Sequence, residues 1–101
     1  MAEISEAYIE KLRLAVRRSK SDATDSEIKD LCAECRADLA SLGVLESKTD
    51  DENDPLVLGA VRCFVRWKFG LSNTDAQANR EDYMQLRDEL RKREGYGYVS
   101  Q

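Results

Sequence analysis

Cys32 and Cys35 form a C-x-x-C pair, the spacing of dithiol redox motifs and of half a zinc site. Redox work needs the first thiol at a helix N-terminus, where the peptide dipole lowers its pKa, and this pair falls inside a helical pattern. A structural zinc needs four tetrahedral ligands. The chain offers one further thiol, Cys63, and no histidine, so a fourth ligand would have to be a carboxylate or water. The cysteines therefore read as small apolar side chains filling a helix interface. The absence of histidine also removes hydrolase triads built on that residue. Asp50, Asp51, Glu52 and Asp54 cluster like a cation site, yet no glycine supplies the sharp turn of a calcium loop and no glutamate follows at the required offset. They read as a solvated loop in which Asp54 caps a helix, with a basic partner as the other use of such a loop. No catalytic residue, metal or cofactor is expected.

Cationic and aromatic residues offer binding rather than catalysis. Arg62 and Arg66 lie four apart on one helical stretch, and Arg13, Arg17 and Arg18 form a second basic group, so either set could touch nucleic acid. The competing reading is pairing with the abundant carboxylates. Phe64 and Phe69 suggest core packing, whereas Trp67 falls off the main apolar stripe near a helix end, the setting of many interface anchors.

Four helices would position these groups. Ile9, Leu12 and Val16 recur at helical spacing over about residues 4–18. Thr24 followed by Glu27 matches a capping box, and Ile28, Leu31, Cys35, Leu39 and Leu42 carry a second helix over about 25–42, closed by Gly43. Asp54-Pro55 combines an N-cap acceptor with the residue whose fixed φ suits the first helical position. The third helix, about 55–69, carries Leu56, Val57, Ala60, Val61, Phe64 and Val65 on one broad face and stops at Gly70. Asn73 or Thr74, with Gln77, would cap a fourth helix over about 75–94 whose stripe is Tyr83, Leu86 and Leu90. The residues from Gly95 to Gln101 then read as a loose tail, since two glycines weaken helix and the rest favour extended backbone. The expected fold class is all-α: a compact four-helix bundle forming one domain, 1–94, followed by a flexible tail, 95–101.

Composition agrees. A length of 101 residues suits one core, and 42% hydrophobic with 36% charged residues suits buried helix faces under strongly polar outer ones. Sixteen basic against twenty acidic residues leave a net charge of -4, poor for gripping a duplex. No leader or apolar run of bilayer length is visible, so a cytoplasmic protein without membrane contact is expected, with its three thiols reduced.

The order of these landmarks resembles a known family. A short first helix, a second introduced by Thr24-Asp25-Ser26-Glu27-Ile28 and ending Asp38-Leu39-Ala40-Ser41-Leu42-Gly43-Val44, then Asp54-Pro55-Leu56-Val57 opening an aromatic-bearing helix that closes at Phe69-Gly70, is similar to the tailed-phage head-tail connector family, also called head-completion or DNA-packaging adaptor proteins. The likeness spans about residues 4–94 and rests on helix ends. It implies a structural subunit that forms a homo-oligomeric ring beneath the portal protein, extends the DNA channel and receives the tail or a second head-completion protein. It implies assembly in the host cytoplasm and a place in the virion neck. Trp67, Tyr96, Tyr98 and Val99 are then candidates for the portal or subunit interface, with the tail ordering on docking, and Arg62 and Arg66 for transient contact with passing DNA.

The rival is a small helical nucleic-acid-binding regulator, which would have to read DNA with the last helix, where Arg80, Arg87, Arg91, Lys92 and Arg93 are interleaved with acids. An enzyme is the third class. No pair of acids occupies an apolar position where burial would tune a pKa.

Overall fold

The computed structural model describes residues 2–70 and 73–97, and its elements begin where side chains satisfy orphan backbone groups. Ser5, in extended backbone, accepts a hydrogen bond from the Tyr8 N–H and opens α1, Glu6–Ala15. The helix closes in a Schellman motif: the Arg17 N–H bonds the Leu14 carbonyl at 3.1 Å and the Arg18 N–H bonds the Arg13 carbonyl at 3.0 Å. The left-handed residue this motif demands is Arg17, with φ 56°, where glycine is the usual occupant.

The second helix, α2, Asp22–Ser41, starts a turn earlier than the Thr24–Glu27 pattern implies. Ser21 is the N-cap, accepting from the Thr24 N–H, and Glu27 instead accepts from the Gly70 N–H at 2.9 Å. The earlier start places Asp25 inside the helix, 3.1 Å from the Arg13 guanidinium of α1. A short helix absent from the sequence reading, α3, Glu46–Thr49, follows in the acidic connection.

Asp54 then caps α4, Pro55–Lys68, through one oxygen that accepts from the Leu56 and Val57 N–H groups, with Pro55 at the first turn. The last helix is α5, Ala76–Lys92. Here the expected cap fails. Asn73 Oδ1 accepts from the Asp75 N–H and Asn73 Nδ2 donates to the Arg66 carbonyl, so Asn73 shapes the turn, while Asp75 occupies the cap position without a side-chain cap bond. Gln77 turns to Glu81 rather than to the helix start.

The architecture is an all-α bundle with α4 at its centre, packed against α1, α2 and, most extensively, α5. Val57, Ala60, Val61, Phe64 and Val65 of α4 meet Ile9 and Leu12 of α1, Ile28, Cys35 and Leu39 of α2, and Tyr83 and Leu90 of α5 in one apolar cluster. Removing such surface from water is the main stabilising term of the fold. Among the described residues no helix is long and apolar enough to cross a membrane.

The start of the expected loose tail is tied down. The Leu45 N–H bonds the Tyr96 carbonyl at 3.1 Å, the Tyr96 hydroxyl donates to Asp54 Oδ2 at 2.5 Å, and Tyr96 is half-buried. Gly97, with φ 112°, passes so near the Gly43 carbonyl that a Cβ there would collide with it. Glycine at 97 thus serves close backbone approach rather than looseness.

Candidate functional site

The thiols lack the setting of reactive ones. Cys32 and Cys35 are fully buried in the core, and burial pushes the Cys32 thiol up to about 11 and the Cys35 thiol higher still. Cys63, half-buried, is raised by burial as well. A thiol held neutral is a poor nucleophile and a poor metal ligand. Among the described residues no three metal-ligating side chains converge.

The acidic loop points inward more than the sequence suggests. Asp50 accepts from the Ala2 N–H at 3.0 Å, and Glu52 accepts from the Ser5 N–H at 2.9 Å and from the Ser5 hydroxyl. Behind them lies Arg36, 1% exposed, with Asp50 at 3.7 Å, Glu52 at 3.8 Å and the Ala2 carbonyl at 3.0 Å. The cluster therefore straps the N-terminal residues over a buried cation, and only Asp54 plays its expected cap role.

Trp67 is half-buried within an aromatic set, its ring 5.6 Å from Phe64 and 6.2 Å from Tyr83, with Lys68 at 4.8 Å and Arg80 at 5.7 Å from its centre. Beneath it Tyr83 donates to Asp38 at 2.6 Å, and Arg87 clasps the same carboxylate at 2.7 Å. The Arg87 hydrogen bond, acting against burial, holds the Asp38 carboxyl below its usual range. Arg91 and Lys92 bind Asp88 at 2.7 and 2.9 Å. Much of the positive charge on α5 is thus already engaged.

The two arginines expected to act together have different surroundings. Arg62 is half-buried on α4. Arg66 is exposed; its Nε donates to the Ala15 carbonyl at 3.1 Å, satisfying one orphan acceptor at the end of α1. It lines an open groove of about 650 Å³ that Arg62 does not line. The groove lies between the end of α1, the end of α4 and the first turn of α5, and gathers Arg17, Arg18 and Arg66 with Asn73, Asp75 and Asn79. Arg18 lies 5.7 Å over the Phe69 ring on the groove's apolar side. Arg13, grouped with Arg17 and Arg18 in the sequence, instead turns to Glu6 at 2.7 Å and Asp25 at 3.1 Å.

Sequence reasoning missed this grouping. Its one local signal is Arg17-Arg18 directly after the last apolar residue of a helix, Val16; the partners come from some fifty residues away. Of the interface candidates, Trp67 is accessible in part and Tyr96 is docked against Asp54, whereas Tyr98 and Val99 lie outside the described residues. No family model matches the chain, and neither a curated protein nor a solved structure matches it.

Proposed function

We propose that the chain is a structural adaptor subunit of the tailed-phage head-tail connector kind, forming a homo-oligomeric ring beneath the portal that joins capsid to tail and extends the DNA channel. The observation that carries this reading is that the landmarks at Gly43, Asp54-Pro55 and Phe69-Gly70 fall at helix ends, while Thr24-Asp25-Ser26-Glu27-Ile28 lies inside α2. Asp54-Pro55 opens α4, Phe69-Gly70 closes it with Gly70 at φ 77°, and Gly43 at φ 96° closes α2.

A ring joins two different patches head to tail. Two exposed apolar points suit that demand. Leu14, 71% exposed, adjoins Ala15, whose carbonyl meets Arg66; Leu56, 38% exposed, lies ten residues earlier on α4, a rise of about 15 Å. Trp67, Tyr96, Tyr98 and Val99 are the side chains assigned to the neighbour or the portal, and Arg62 and Arg66 those assigned to passing DNA. The partners are the portal protein and the tail or a second head-completion protein. The regulator reading draws less support, because Arg87, Arg91 and Lys92 of α5 are paired with carboxylates.

The test is the mass of the purified protein by light scattering after gel filtration, alone and mixed with a portal from the same phage or prophage. A ring or a stable portal complex supports the reading, and deleting residues 98–101 then abolishes it without loss of helicity. A monomer that ignores the portal but shifts duplex DNA sinks it and favours the regulator.

A further inference from the structure

The groove between α1, α4 and α5 presents three guanidinium groups, and among the described residues none of the three has a carboxylate within ion-pair distance. Arg13, Lys20, Arg36, Lys68, Arg87, Arg91 and Lys92 do, and the other described cations without one, Lys11, Lys29, Lys48, Arg62, Arg80 and Arg93, do not line this groove. Unneutralised arginines converging on one concavity call for an external anion, and the planar fork of arginine matches the oxygens of a phosphate.

Two features show that the groove is shaped rather than incidental. Arg66 is fixed at both ends, its backbone carbonyl bonded by Asn73 and its Nε bonded to the Ala15 carbonyl, which leaves its terminal nitrogens unengaged among the described residues. Arg17 occupies the left-handed position of the Schellman motif, where glycine would close the helix with less backbone strain. An arginine held there keeps a side chain in the groove at a cost to the fold. The first turn of α5, free of a side-chain cap, forms the facing wall and adds its partial positive charge. Among the described residues that line it, the one opposing charge is Asp75, and three cations less one anion give +2.

We propose that this groove is a binding site for a phosphate group, held by Arg17, Arg18 and Arg66. The ligand is either a free phosphate compound or a phosphodiester of a nucleic-acid backbone. The site does not depend on the connector reading, since it requires neither a ring nor a portal.

The test is calorimetric titration with pyrophosphate and fluorescence anisotropy with a labelled short duplex at low salt, on the parent protein, Arg17→Gly and Asp75→Asn, each checked for helicity. Saturable binding is expected. Arg17→Gly should weaken it about tenfold while raising the thermal midpoint, and Asp75→Asn should tighten it severalfold. Binding of both probes, with a duplex salt slope that falls by about one in Arg66→Gln, identifies the nucleic-acid backbone as the source. Binding of pyrophosphate alone identifies a free phosphate compound. Failure of both probes to saturate, or affinities unchanged in Arg17→Gly and Asp75→Asn, overturns the proposal, as does preference for a polyglutamate peptide over either probe. Ring formation is read in a separate experiment, so the two readings fail independently.

Discussion

Tyr96 and Asp54 meet across 2.5 Å, the phenol donating to Oδ2 while Oδ1 of the same carboxylate holds the first turn of α4. One side chain thus couples the start of the central helix to the C-terminal segment.

Burial alone would raise the Asp54 carboxyl, but hydrogen bonds from Tyr96, Val57 and Leu56 outweigh it and hold the group below the usual range. A depressed folded pKa contributes stability that is complete above the unfolded carboxylate value, about 4, and is lost as pH falls through the folded one. Tyr96→Phe should therefore cost about 1 kcal/mol at neutral pH and less near pH 3. Urea midpoints at the two pH values measure this; an equal decrement at both would show that the hydrogen bond is not the coupling.

The Asp38–Arg87 pair obeys the same sign. Arg87→Gln removes the contact that holds the Asp38 carboxyl down, so stability at neutral pH should fall by roughly 1 kcal/mol, discounted because both side chains are about 30% exposed. The carboxyl resonance of Asp38, followed by NMR, should titrate at higher pH in the variant than in the parent. An unmoved titration would mean that Tyr83 dominates.

Among the described residues Arg36 is the one fully buried cation, and its stem is buried with its charge. Arg36→Ala should cost about 3–5 kcal/mol, because Asp50 and Glu52 lose their buried partner. Arg36→Met, which keeps the stem volume, should lose less. Thermal denaturation followed by circular dichroism gives both values. An alanine variant within about 0.5 kcal/mol of the parent would show that the N-terminal strap is held without the cation.

Thiol reactivity should rank by burial. Under native conditions Ellman's reagent should modify Cys63 first, while Cys32 and Cys35 react only as fast as the protein opens. Prompt reaction of two thiols together would instead reveal an accessible C-x-x-C pair.

Features encoded within one turn of helix were legible in the sequence. Asp54-Pro55 announces α4 because a cap acceptor and a fixed φ act on backbone groups within three residues, and the apolar faces of α2 and α4 follow from helical period alone. Burial of Cys32 and Cys35 was legible for the same reason. The start of α2 was ambiguous, since Ser21 and Thr24 are both good caps; distant Arg13 and Gly70, which engage Asp25 and Glu27, accompany the earlier start.

Tertiary structure decided the rest. Composition and local spacing sufficed for the all-α bundle, its central helix and its lack of histidine chemistry. That Asp50 and Glu52 strap the N-terminus over Arg36, that Tyr96 docks on Asp54, and that Arg17, Arg18 and Arg66 share a groove was decided only when the helices packed. Ala2 and Asp50, Ser5 and Glu52, Tyr96 and Asp54, and Arg18 and Arg66 stand more than forty residues apart, and side-chain chemistry at that separation carries no periodic signal until burial brings the partners together.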